Sequence, residues 1–144
     1  KHNPNITLGL NTNGSIRNPD WWIELASLMT NKQDYAVFSI DGLEDTNHIY
    51  RQGVQWDKII KNVSAFVGAG GNAQWEMIVF EYNQHQIEQA LELAKELKFT
   101  IFRTKVSRRY NRFPLEYLKP PTGYNNVIPT EGNIDCFAMS EKSI

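Results

Sequence analysis

The sequence predicts an α/β fold, a parallel βαβαβαβ sheet. Short apolar runs recur near residues 6–10, 35–40, 75–80 and 99–104. Between them lie stretches whose apolar residues recur at helical spacing, and polar or glycine-bearing turns mark the boundaries. Strands that alternate with helices of about three to four turns build right-handed βαβ units, and those pair in parallel.

The elements follow in order. Ile6 to Leu10 is the first strand, ended by Asn11-Thr12-Asn13-Gly14. Asn18-Pro19-Asp20 then opens a helix with a side-chain cap, proline at the first helical position and an acid in the first turn. Trp22, Leu25, Ala26 and Met29 share one face of it. Tyr35 to Ile40 is the second strand, and Gly42 turns the chain away. Trp56, Ile59, Ile60, Val63, Phe66 and Val67 form the stripe of the next helix, stopped at Gly68-Ala69-Gly70-Gly71. Trp75 to Phe80 is the third strand. Asn83, with Gln86 three residues on, has the spacing of a capping box for a helix buried through Ile87, Ala90, Leu91, Ala94 and Leu97. Phe99 to Phe102 leads the fourth strand. Beyond Arg103 the periodicity dissolves into a basic and then proline-rich stretch.

Composition sets limits on function. The 144 residues amount to one domain, with 41% hydrophobic and 22% charged residues, enough to bury a core. A net charge of −1 gives no whole-surface attraction to nucleic acid or membrane. No apolar run approaches the roughly 20 residues of a spanning helix. The single cysteine, Cys136, forms no internal disulfide and fits a reducing compartment, so the cytoplasm is the expected location. The chain enters a strand within its first residues and stops where apolar character returns, so it reads as an interior piece of a longer protein.

Ligands of parallel α/β folds sit at the carboxyl ends of strands. Those ends read Asn11-Thr12-Asn13-Gly14, Ser39-Ile40-Asp41-Gly42, Glu81-Tyr82-Asn83 and Arg103-Thr104-Lys105, and together they line one polar rim. His2, His48 and His85 make no short-spaced metal pair. Gly68, Gly70 and Gly71 follow a helix and precede a strand, the reverse of a phosphate-binding loop. Arg103, Lys105, Arg108, Arg109 and Arg112, with Tyr110 and Phe113 between them, form a basic run of the kind that meets nucleic acid or phosphate, and equally of the kind that forms a solvated face. The stretch Ser39-Ile40-Asp41-Gly42 with Arg51 offers a hydroxyl for a neutral group and a guanidinium for a carboxylate.

One order of motifs goes further: a strand ending Leu-Asn-Thr-Asn-Gly, a helix, a strand ending Phe-Ser-Ile-Asp-Gly, then His48 and Arg51. It resembles the middle of the radical SAM enzyme family, in the branch with a SPASM-type C-terminal extension. Ile78 to Asn83, followed by Ile87-Glu88-Gln89-Ala90, resembles the next unit of the same barrel. Asn133 to Met139, around Cys136, resembles the start of the extension. The resemblance implies part of a partial (β/α)6 TIM-like barrel. It divides the chain into a partial core at 1–106, a basic and proline-rich linker at 107–132 and the start of the extension at 133–144.

The same resemblance implies S-adenosylmethionine as cofactor. Ser39 and Arg51 match positions near its ribose and carboxylate, Asp41 belongs to the same motif, and Asn11, Thr12 and Asn13 lie on the adjacent rim. A [4Fe-4S] cluster held by a CxxxCxxC loop is implied for the longer protein, with an electron donor, a peptide or small-molecule substrate, and Cys136 as a ligand of an auxiliary cluster. This chain has no CxxxCxxC and is expected to be inactive alone, since such clusters need three or four thiolates. The expected activity of the longer protein is cleavage of S-adenosylmethionine to a 5′-deoxyadenosyl radical for substrate modification. Two alternatives come from the binding class: a non-catalytic α/β module for a nucleotide-like ligand, or a nucleic-acid-binding fragment acting through residues 103–112. No membrane partner is expected. The apolar first strand is expected to be covered by an upstream segment or by a second copy of the chain.

Overall fold

A computed structural model describes residues 6–107, 110, 118–123 and 142–143. Four strands, β1 (Gly9–Thr12), β2 (Tyr35–Ser39), β3 (Ala73–Ile78) and β4 (Ile101–Lys105), pair in parallel in sequential order. The alternation of strands and helices therefore builds the parallel sheet expected from the sequence. A two-residue strand, β5 (Lys142–Ser143), adds antiparallel to β4, with Phe102 opposite Lys142. Residues 133–139, where the sequence resembles the start of an extension, lie outside the described residues. Tyr110 and residues 118–123 are the described parts of the predicted linker, and both reach back to the end of β3: Glu81 N–H donates to Lys119 O at 3.0 Å, and Thr122 N–H to Gln84 Oε1 at 2.9 Å.

Three helices cross over between the strands, α1 (Pro19–Leu28), α3 (Trp56–Gly68) and α4 (Ile87–Glu96). Sequential strand order with right-handed crossovers puts every helix on the same side of the sheet, the winding of a barrel wall rather than a doubly wound sheet. The core records this. Ala36, Phe38 and Ile40 of the β2 segment, Ala73, Trp75 and Met77 of β3 and Phe102 of β4 share one buried cluster with Trp22, Ile59, Phe66, Ala90 and Ala94 of the helices. Successive side chains of a strand point to opposite faces. The other face therefore carries Val37 and Ser39, Gln74, Glu76 and Ile78, and Ile101, Arg103 and Lys105.

Local chemistry explains the elements. Asn18 caps α1 as expected, accepting from Trp21 N–H at 3.1 Å with Pro19 in the first turn. Trp22 is fully buried and its indole donates to Ile16 O at 3.1 Å. Asn62, a polar residue inside the apolar stripe of α3, donates to Gly14 O at 2.8 Å and Ile16 O at 3.1 Å. The loop after β1 is thereby fastened to both helices. An aromatic seam fills the core: Trp22 to Phe38, Phe38 to Phe99 and Phe99 to Trp75, with centroids 5.2, 5.9 and 5.4 Å apart. Pairs of this kind contribute about 0.5–1.5 kcal/mol each beyond their burial.

The strands are displaced from their sequence-read limits for identifiable reasons. β1 starts later because Leu8 N–H is taken by the Asp34 carboxylate at 2.8 Å, outside the ladder. Asn11 and Thr12 are consequently strand residues. β3 begins and ends two residues early: Val79 and Phe80 leave the strand at a turn closed by Asn83 Oδ1, which accepts from Phe80 N–H at 2.7 Å. Asn83 is accordingly no helix cap. A short 3-10 turn (Gln84–Gln86) precedes α4, Asn83 is wholly buried, and Gln86 points to another loop.

That loop explains Gly42. Its φ is +134°, and a Cβ there would meet Thr46 Oγ1 at 2.1 Å. Thr46 Oγ1 accepts from Leu43 N–H at 3.1 Å and also bonds Gln86 Oε1, joining the loop after β2 to the start of α4. Gly42→Ala is expected to lower unfolding stability by about 1–3 kcal/mol, combining backbone strain with displacement of Thr46; urea denaturation of the two proteins measures it.

Candidate functional site

The loop from Asp41 to Arg51 is built around one carboxylate. Asp41 is fully buried. Ile40 N–H donates to Glu76 O at 3.1 Å, as a parallel ladder requires, and the ladder would next give the Ile40 carbonyl to Ile78 N–H. That carbonyl instead accepts the Trp75 indole N–H at 2.8 Å. The Asp41 carboxylate takes its place, and Oδ1 accepts Ile78 N–H at 2.6 Å. Its backbone is held as firmly: Asp41 N–H donates to Asn47 Oδ1 at 2.8 Å, and Asn83 Nδ2 donates to Asp41 O at 2.9 Å.

Asn47 opens a one-turn helix, α2 (Asn47–Tyr50), which Arg51 ends with its N–H on Asn47 O at 3.0 Å. This short turn delivers the guanidinium back to the strand end, where Arg51 Nε donates to Asp41 Oδ2 at 2.6 Å. Only Nε is engaged among the described residues. The two Nη groups remain at a side chain 26% exposed, with Cζ 5.3 Å from the centroid of the Tyr50 ring. Burial pushes the Asp41 carboxyl above the ordinary 3.8; Arg51 and Ile78 N–H pull it back, and the nearby Glu76 pushes it up again.

An aromatic group adjoins the pair. Phe80 packs against Tyr50 at 5.0 Å and stacks flat on Tyr82 at 5.3 Å and 8°, while Tyr110 meets it edge-on at 5.6 Å. Tyr110 OH donates to Val79 O. The Tyr82 hydroxyl is buried and has no hydrogen-bond partner among the described residues. Burial raises its pKa, Asp41, Tyr50 and Tyr110 add to the rise, and Arg51 opposes it.

The residues singled out in the sequence lie as follows. Ser39, half-buried in β2, faces away from the helices beside Glu76, and its hydroxyl has no partner among the described residues. Ser39 precedes Asp41 by two residues and Arg51 is fastened to Asp41, so all three meet at one strand end. Asn11 is exposed in β1. Thr12 Oγ1 accepts from Gly14 N–H and Asn13 Oδ1 from Ser15 N–H, both at 3.0 Å, so these two side chains close their own turn. His48 is exposed, and Cys136 lies outside the described residues. Of the basic run, Lys105 pairs with Glu76 at 2.5 Å and Arg103 approaches it at 3.8 Å. Arg108, Arg109 and Arg112 lie outside the described residues. Tyr82 and Asn83 stand at a strand end of the rim that the sequence predicts, whereas nothing in the sequence marks Asn47, because no local signal tells which loop a side chain will reach.

Among the described residues no three His, Cys, Asp or Glu side chains group to hold a metal ion, so an iron–sulfur cluster has no ligand set within them. No helix among them is long and apolar enough to cross a membrane.

No protein-family profile matches the chain, and no curated protein matches it in sequence. Its fold does match solved structures. The structure of Streptococcus suis SuiB bound to S-adenosylmethionine superposes with a TM-score of 0.61 at 20% identity, over 83% of this chain and 27% of SuiB. SuiB bound to the precursor peptide SuiA matches with the same score. Native anSMEcpe with bound AdoMet gives 0.55 at 16% identity, over 69% of this chain and 27% of that one. The chain thus shares its α/β fold with proteins that bind S-adenosylmethionine and spans about a quarter of their length.

Removing the guanidinium should expose the Asp41 carboxylate to an uncompensated burial. Arg51→Gln is expected to cost about 2–3 kcal/mol near neutral pH. A raised folded-state pKa in an acid means stability that is present at low pH and lost as pH rises through that pKa. Without Arg51 the carboxyl rises further, so the deficit should be small near pH ~4 and grow toward neutrality. Thermal unfolding of both proteins across that range measures it.

Proposed function

We propose that the chain is part of the core of a radical SAM enzyme and that the carboxyl end of β2 binds S-adenosylmethionine. One observation carries the reading: Asp41 holds Arg51 by Nε alone at the strand end that Ser39 shares, leaving the guanidinium fork for a carboxylate, in a fold shared with two structures bound to that cofactor. Arg51 would hold the methionyl carboxylate, since a planar fork of N–H donors matches it bidentately. The Ser39 hydroxyl, without a partner among the described residues, would meet the ribose. Asn11, Thr12 and Asn13 would form the neighbouring rim.

The chemistry such a bound cofactor supplies, with a [4Fe-4S] cluster, is a 5′-deoxyadenosyl radical that abstracts hydrogen from a substrate. The residues of this chain contribute binding and orientation; the cluster's ligands belong to the longer protein, in a CxxxCxxC loop. Cys136 would serve an auxiliary cluster in a SPASM-like extension beginning near residue 133. A peptide substrate fits the likeness to SuiB bound to its precursor peptide. Among the described residues β1 pairs only with β2, and Ile6 and Leu8 are 54% and 50% exposed, so an upstream segment of the same protein would cover that edge.

The coding sequence around this chain provides the first test. A CxxxCxxC upstream is expected; a flanking sequence without it would sink the enzyme reading and favour a non-catalytic nucleotide-binding module. In the cluster-loaded longer protein, Arg51→Ala should weaken S-adenosylmethionine binding by about 1.5–3 kcal/mol. Equilibrium dialysis with the labelled cofactor measures the loss.

A further inference from the structure

We propose that Gln86 is a positioning residue for Arg51: from the start of α4 it fixes the loop between β2 and α2, and with it the place from which the guanidinium reaches Asp41. Its bearing on S-adenosylmethionine rests on the reading in the preceding subsection. Its hold on Arg51 does not.

Gln86 stands where burial alone would favour an apolar side chain. It precedes Ala90 by one turn, at the head of the buried face of Ala90, Leu91 and Ala94, and is 3% exposed. A carboxamide buried there is costly unless both of its ends are bonded. Both are, and to a single loop far away in sequence. Oε1 accepts Leu43 N–H at 3.1 Å and the Thr46 hydroxyl, while Nε2 donates to Asp45 Oδ1 at 2.8 Å.

These bonds matter because α2 cannot hold itself. It is one turn long, its N-cap Thr46 makes no side-chain cap bond, and a helix so short is not stable by itself in water. Thr46 Oγ1 serves Leu43 N–H at 3.1 Å and Gln86 instead. From Thr46 the path to the guanidinium is continuous. Thr46 O accepts Ile49 N–H and Asn47 O accepts Arg51 N–H, both at 3.0 Å, and Arg51 Nε donates to Asp41 Oδ2 at 2.6 Å. Asn47 fastens the same turn to Asp41 N–H at 2.8 Å. A turn held at one residue can pivot about it. Gln86 supplies the second hold, gripping Leu43, Asp45 and Thr46 from another element, and so fixes the direction in which the turn delivers Arg51.

The bond to Asp45 makes the role separable from packing. Gln86→Glu keeps the side chain's shape and an acceptor for Leu43 N–H and Thr46, but it replaces the donor 2.8 Å from Asp45 Oδ1 with a second carboxylate oxygen. Two carboxylates at that distance repel. Adding Asp45→Asn restores the pairing with donor and acceptor exchanged, and it removes the added charge.

The test reads the Arg51 Nε–H resonance in the 15N-labelled 144-residue chain, assigned as the one lost in Arg51→Lys. Bonded to Asp41, it should lie apart from those of solvated arginines and exchange slowly. Gln86→Glu is expected to move it toward them and to speed its exchange about tenfold or more. The Trp22 indole N–H, which donates to Ile16 O outside this loop, should stay in place and report an intact fold. Asp45→Asn alone leaves the Gln86 amide an oxygen and should not move the Arg51 resonance; combined with Gln86→Glu it should restore it. In the cluster-loaded longer protein, equilibrium dialysis should show S-adenosylmethionine bound about tenfold more weakly by Gln86→Glu and recovered by the double variant. An Arg51 resonance unmoved in Gln86→Glu, or moved and not restored by Asp45→Asn, overturns the proposal whatever the cofactor does. Resonances that behave as expected, in a protein whose unaltered form binds no S-adenosylmethionine, overturn the cofactor reading and leave the role of Gln86 standing. If Gln86→Glu loses the Trp22 signal, Gln86→Met takes its place, removing all three bonds without adding charge. A Trp22 signal lost there too means that Gln86 holds the whole fold rather than Arg51, and overturns the proposal.

Discussion

The end of β2 depends on a carboxylate standing in for a peptide carbonyl. Asp41 accepts the N–H of Ile78 where the regular ladder has lost its acceptor to the Trp75 indole. This substitution sets the length of β3, because the next residues are free to turn outward and be closed by Asn83. It also brings charge into a buried place. A carboxylate in that position is stabilised by a cation, and the loop it begins supplies one in Arg51. The loop from Gly42 to Arg51 is thus constrained at both ends by the same side chain, with Asn47 on the Asp41 amide and Arg51 on its Oδ2.

The two faces of the sheet divide the remaining work. Helices on one side supply the apolar burial that makes the sheet stable, through Trp22, Phe38, Phe66, Trp75 and Phe99. The opposite face, carrying Ser39, Glu76, Arg103 and Lys105, is free of that demand and can hold charge. Its ion pairs to Glu76 are partly exposed, and such pairs contribute little to stability, about 0–1 kcal/mol each. Polarity on this face is therefore tolerated by the fold rather than required by it, which is the condition a binding surface needs.

Much of this architecture was legible in the sequence because it rests on local rules. The period of apolar residues located three helices and four strands, and Asn18-Pro19 marked a helix start that the structure reproduces atom by atom. What failed was range. Asn83 and Gln86 had the spacing of a capping box, yet Gln86 bonds Leu43, Thr46 and Asp45 in another loop, and Asn83 closes its own turn on Phe80 N–H while its amide nitrogen also reaches Asp41 O. Asparagine and glutamine carry both donor and acceptor, so their spacing alone does not reveal which loop they serve. The displaced ends of β1 and β3 have the same origin, since in each case a side-chain carboxylate or amide took a backbone donor from the ladder. Asn62 inside the stripe of α3 was likewise silent in the sequence, because only its neighbours across the fold give it partners.

The Asp41–Arg51 pair resolves a tension in these facts. A buried ion pair is weak evidence for stability, since desolvation offsets most of its attraction and an apolar pair of similar volume often does as well. Burial indeed dominates the carboxyl's ionisation and holds its pKa above the ordinary value despite the arginine. Ile78 N–H needs an acceptor, but an asparagine side chain would provide one without the charge. What asparagine would not do is hold a guanidinium through its Nε at the strand end. The charge is thus better explained by the hold it gives on Arg51 than by the bond to Ile78 N–H alone. Stability alone does not require a charge at this carboxylate, and what the charge adds is a guanidinium fixed at the end of β2.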